Sequence, residues 1–144
     1  MSKGDISEMP RGHLLRSGIA IFAGFVVVFI LSLGTDVSLH KFGLTPPLGQ
    51  PMSNSMFLLA TIYRTIYAVI GCYITARLAP NEPMVHALVG GFIGLGLSIA
   101  GAVTTWNHVP SLGPHWYPLA LVVTALPAAW VGGKLRVAQL AKNR

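Results

Sequence analysis

The chain has 144 residues, 53% of them hydrophobic and only 10% charged, with a formal net charge of +6 at neutral pH. A water-soluble domain carries about 25% charged residues, so this chain cannot clothe a water-facing surface of ordinary polarity. The positive balance does not mark a nucleic-acid binder, because the Lys and Arg residues flank apolar segments and no basic stripe interleaved with aromatics is present.

Met1 to Leu15 is polar and mixed in charge, with Lys3, Asp5, Glu8, Arg11 and His13. Residues 1–13 are expected to be a short arm. Ser17 to Thr35 is a run of nineteen residues without a charge, close to the ~20 that span a bilayer. A helix is expected over 14–35. The run is longer than the h-region of a signal peptide, and Ser32-Leu33-Gly34-Thr35-Asp36 is a poor cleavage site. An uncleaved first span is therefore expected.

Asp36 to Asn54 reads as a connection, with Pro46-Pro47, Gly49 and Pro51 preventing a regular helix. Its first part, up to Phe42, is able to continue the first helix. Ser55 to Leu78 is a second span, interrupted by Arg64. A turn closed by Pro80 and Pro83 leads into a third span, expected over 84–106. It is rich in glycine, at Gly90, Gly91, Gly94, Gly96 and Gly101. Glycine disfavours helices in water but is common in lipid, where small residues let backbones approach. Asn107 to Pro118 is the second outer connection. Trp106, Trp116 and Tyr117 suit the headgroup level. The fourth span is expected over 117–134, bent at Pro127, with a basic tail at 134–144. From Pro83 to Gly133 no Asp, Glu, Lys or Arg occurs.

Lys/Arg counting sets the expected topology. With the N-terminus inside, the inner segments hold eight (Lys3, Arg11, Arg16, Arg77, Lys134, Arg136, Lys142, Arg144) and the outer connections one, Lys41. The expected fold is a single all-α transmembrane domain over 1–144, a four-helix bundle with both termini cytoplasmic. Its size and glycine content resemble those of many small bacterial membrane proteins, and the inner (cytoplasmic) membrane is the expected location. The basic tail is expected to meet anionic lipid. The two hairpins also invite comparison. Gly24-Phe25-Val26 resembles Gly91-Phe92-Ile93, and Val69-Ile70-Gly71 followed by Arg77 resembles Trp130-Val131-Gly132 followed by Arg136. This would be a parallel repeat.

Arg64 is the residue the bilayer alone would reject, since a central Arg costs ~2.5–3.5 kcal/mol on insertion scales. It must face the bundle interior and find a partner. Asp36 is the only acid placed to serve, and Tyr63, Thr65 and Tyr67 bring hydroxyls nearby. Tyr67 at i+3 and Gly71 at i+7 share its helix face. The group is a candidate ligand site or a packing ion pair. Small residues at spacing four point to close helix contacts: Ala20 and Gly24; Gly71 and Thr75; His86, Gly90, Gly94 and Ser98; Ala128 and Gly132.

The histidines form two groups, His13 and His86 inside, and His40, His108 and His115 outside. No two have the i, i+4 spacing of a helical zinc motif. They read as interfacial residues, and no metal or other cofactor is expected. Cys72 lies alone in an apolar run and reads as a small hydrophobe. No catalytic motif or paired intramembrane carboxylate exists, so an enzyme is not expected. Four short spans resemble the small multidrug-resistance exporters in type. Their embedded first-helix glutamate has no counterpart between Ser17 and Thr35, so nothing carries over. The expected role is a structural or accessory subunit, in a larger membrane complex or a homo-oligomer; the alternative is a small transporter or ligand-binding bundle using Arg64.

Overall fold

A computed structural model of the chain describes residues 11–47, 50–108 and 113–143. Among these there are four helices and no strand: α1 (Arg11–Lys41), α2 (Asn54–Leu78), α3 (Pro83–Thr105) and α4 (Trp116–Lys142). All four are long and apolar enough to cross a membrane.

Each boundary has a local cause. The end of α1 is a Schellman turn, in which Leu44 N–H donates to Leu39 C=O and Gly43 N–H to His40 C=O. Gly43 takes φ 66°, which a residue without Cβ adopts at no steric cost. Ser53 opens α2, its hydroxyl accepting from Met56 N–H at 3.4 Å. Pro83 begins α3 where its missing N–H has no intrahelical role. In α4, Pro127 is accommodated within a continuous helix.

Two spans differ from the sequence expectation. The first helix, expected over 14–35, runs from Arg11 to Lys41, so the stretch after Asp36 that was able to continue it does so and Asp36 lies on a helix. No proline stands between Asp36 and Lys41 to stop it. The fourth, expected over 117–134, runs to Lys142. Most of the expected tail is thus helical, because Val-Ala-Gln-Leu-Ala-Lys favours helix over coil. The rest of the expected arm, residues 1–10, and Arg144 lie outside the described residues.

The bundle is small inside and large outside. Among the described residues the buried apolar side chains are seven alanines and Phe57, and no large side chain is fully enclosed. Phe22, Phe29, Val103 and Val123 are each at least 67% exposed. Water would not tolerate such a surface, whereas hydrocarbon solvates it at no cost. Small inner residues instead allow the close backbone contact that holds helices together without a hydrophobic drive.

The central helix is α2, which touches the other three; α3 and α4 pair closely; α1 lies along α2, meets α3 at few points and does not touch α4. One end of the bundle carries the 42–53 and 106–115 connections. The other carries the 79–82 turn and, among the described residues, Arg11, Arg16, Arg77, Lys134, Arg136 and Lys142.

Candidate functional site

Arg64 lies ten residues from the start of α2 and fourteen from its end, or ~15 Å and ~21 Å at 1.5 Å per residue. Its Nη2 donates to Asp36 Oδ2 at 2.7 Å. The neighbouring Tyr63 hydroxyl donates to the other carboxylate oxygen of Asp36. Adjacent residues on one helix point roughly 100° apart, and here they bracket the carboxylate across the α1–α2 seam. Tyr67 does not join this pair. Its hydroxyl shares a 2.7 Å hydrogen bond with Thr35 Oγ1, which also donates to Leu31 C=O at 2.8 Å. Asp36 can do this because α1 continues past residue 35 and presents Thr35 and Asp36 to successive turns of α2.

The pair is electrically neutral as a unit. Both oxygens of Asp36 are occupied, whereas the guanidinium has donors to spare. Arg64 Nε is enclosed and, like Arg136 Nε, has no hydrogen-bond partner among the described residues. A buried donor left without a partner is rare and costs ~1–3 kcal/mol.

Two cavities meet at Arg64. The first, about 270 Å³, lies between all four helices and extends from Arg64 towards Gly71 and Thr75. Its walls are mostly apolar, including Phe25, Val28, Leu97 and Leu121. Ser32 and Ser98 also line it. The second, about 320 Å³, runs from Arg64 to the connection end, bounded by Trp106, His115 and Tyr117. The two share Arg64, Leu97, Ser98 and Leu121. At the connection-end mouth His115 stacks on Trp106, ring centroids 4.3 Å apart. Its Nε2 lies 3.1 Å from Trp106 C=O. Tyr117 packs against Phe57 with centroids 5.1 Å apart.

The small residues divide into two groups. At Gly24 a Cβ would stand 2.6 Å from Gly71 C=O, and at Gly71 2.8 Å from Gly24 C=O. At Gly132 it would stand 2.6 Å from Val69 C=O. These glycines are needed where α1 and α4 approach the α2 backbone, and Ala20 is fully buried beside that seam. Gly90 and Gly94 differ, with the nearest atoms 3.9 Å and 4.0 Å from such a Cβ. Together with Ser98 they border the first cavity and do not form a tight helix contact. Spacing four marked a face of α3 without showing what faces it. Gly91, one position round, is the α3 glycine that meets α4, at Ala129.

The histidines hold other posts. His86 Nε2 lies 2.8 Å from Ser17 Oγ, tying α3 to α1 near the basic end. Among the described residues no three His, Cys, Asp or Glu side chains are grouped to hold a metal ion. Sequence reasoning reached Arg64, Asp36 and Tyr63 but missed Ser32, Trp106 and His115 as cavity-lining residues. Ser32 had a readable signal, lying one turn before Asp36 on the same helix; the other two depend on how the connection folds back.

Comparison with protein-family models, with curated proteins and with solved structures finds no match for this chain.

Proposed function

We propose that this chain is a non-enzymatic four-span protein of a bacterial inner membrane that binds a small molecule with a polar group beside Arg64. The observation that carries the reading is the junction of two cavities at a guanidinium whose Nε lacks a partner. An arginine retained only to pack α1 on α2 would have no need of space on either side. Intramembrane charges commonly mark ligand and ion pathways. The outer cavity gives access from the connection end and the inner one gives room beyond Arg64, the layout of a small carrier or receptor.

In this reading the connection end is external and both termini are cytoplasmic, on the Lys/Arg asymmetry. Lys134, Arg136 and Lys142 then sit at the inner headgroups, each worth ~1 kcal/mol towards anionic lipid. The parallel-repeat reading draws support from Gly24 and Gly91, each of which meets the following helix, at Gly71 and Ala129. Gly132 departs from it, meeting α2 where the repeat would have it meet α3.

The test compares wild type with Arg64→Gln, both purified in mild detergent and analysed by native mass spectrometry. A bound small molecule is expected on the wild type and is expected to be lost from the variant, with the melting temperature lowered by only a few degrees. Identical bound species on both would leave Arg64 a packing residue.

A second reading, an accessory subunit in a larger complex or a homo-oligomer, rests on Gly18, Gly34 and Gly96. A Cβ at any of these would meet nothing within 4 Å. They leave outward-facing places where another helix could approach closely. Stoichiometric co-purification with other subunits would favour it.

A further inference from the structure

We propose that the ligand of the inner cavity is a neutral, lipid-soluble molecule with one carbonyl-type acceptor. It enters sideways from the bilayer between α1 and α3. This rests on the ligand-binding reading of Arg64 and specifies the ligand's chemistry.

The charge of the site excludes the more obvious anion. Arg64 is already neutralised by Asp36 at 2.7 Å. A second anion beside that carboxylate would leave one uncompensated negative charge in a low-dielectric interior, which is strongly unfavourable. A neutral acceptor has no such penalty. It needs only a donor, and Arg64 has donors that Asp36 does not use. Ser32 and Ser98 line the same cavity, and their hydroxyls make no hydrogen bond among the described residues. Serines in helices commonly bond back to the carbonyl one turn earlier; here both hydroxyls remain available to a polar group.

The shape sets the rest of the molecule. Away from Arg64, Ser32 and Ser98 the walls are mostly apolar, with Phe25, Val28 and the α3 glycines Gly90, Gly91 and Gly94, and with threonine side chains between them. Apolar walls select an apolar body. At about 270 Å³ the space is nearly twice the ~150 Å³ apolar cavity that takes up benzene. A ring with a short tail, or a folded alkyl chain, therefore fits.

The route follows from the way α1 is held. It lies along α2, meets α3 at few points and α4 at none. The α1–α3 seam is thus the weakly closed side of the cavity. At its basic end it is pinned by His86 and Ser17, and further along Phe25 lies over Gly94. Beyond Phe25, towards Ser32 and Leu97, no hydrogen bond between described residues crosses it.

The test uses the full chain in lipid nanodiscs, with a ten-carbon ketone carrying a photoreactive diazirine as probe. Decan-2-one and decanoate compete against it. Decan-2-one is expected to protect at least tenfold better than decanoate, with label recovered on α1 and α3 around Phe25 and Leu97. The double variant R64M/D36N, which leaves no unpaired charge, should lose at least tenfold in protection by the ketone. Leu97→Trp, which fills the cavity and spares the ion pair, should abolish labelling. Stronger, Arg64-dependent protection by decanoate would overturn the neutral-ligand inference and leave the Arg64 site standing. Label confined to Trp106 and His115 would overturn lateral entry. Labelling unaffected by both R64M/D36N and Leu97→Trp would overturn this inference and the ligand-binding reading together.

Discussion

Arg64 and Asp36 illustrate why an ion pair inside a membrane is judged by what remains after one half is removed. Replacing a single partner leaves the other charge unpaired, which in a fully buried pair costs ~3–5 kcal/mol; replacing both can be nearly neutral. Here both side chains are more than a third exposed, at 36% and 38%, so the single-variant loss is discounted to about 1–3 kcal/mol. Arg64→Met is expected to lower the thermal midpoint, and R64M/D36N to recover at least half of that drop. Differential scanning in one detergent checks both. A double variant less stable than Arg64→Met would mean that the pair itself, and not the stranded carboxylate, carries the stability. Tyr63 adds a second hold on Asp36, so the carboxylate keeps one hydrogen-bonded partner in Arg64→Met.

At the scale of helices, glycine position decides the sign of a substitution. Gly24 and Gly132 face backbone carbonyl oxygens, which cannot step aside. Alanine at either is expected to destabilise by about 1–3 kcal/mol, as overpacking does. Gly96 faces open space, so Gly96→Ala is expected to be neutral or to stabilise by up to ~1 kcal/mol through helix propensity. Denaturant titration of the three variants separates the cases; equal losses at all three would remove close approach as the reason for Gly24 and Gly132. The same logic explains why the glycine-rich α3 is not uniformly tight. Gly91 and its neighbours on that face meet α4, while Gly90 and Gly94 leave room for the cavity. Period alone marks which residues share a face and cannot report whether that face meets a helix or a space.

For the whole molecule, the asymmetry of Lys and Arg predicts an orientation with both termini cytoplasmic. In a Cys72→Ala background, a single cysteine at position 43 is expected to react with a membrane-impermeant maleimide in intact cells. One at position 143 should react only after permeabilisation. The reverse pattern would invert the topology and make the connection end face the cytoplasm. The bundle's shape depends on α2, the helix that meets all the others, and it is also the helix that carries Arg64. The candidate site is therefore surrounded by every span, with α1 its least attached wall.

Much of this was legible before any fold was known. Four apolar runs of spanning length, an uncharged second hairpin and a lone arginine within a span are properties of composition and order. They follow from the price of exposing polar groups to hydrocarbon, which does not depend on how the helices pack. Asp36 as the partner of Arg64 was also readable, because the other acid beside a span, Glu82, stands in the turn at the far end of α2. Three things needed the tertiary structure. The bracketing of Asp36 by Tyr63 and Arg64 depends on how α1 sits against α2. The separation of tight glycines from cavity glycines depends on which helix each one faces. The two cavities joined at Arg64 exist only because α1 leans on α2 and leaves α3 and α4 to close against each other. Local chemistry determines where a chain enters a membrane; the spaces left inside it arise from contacts between residues far apart in sequence.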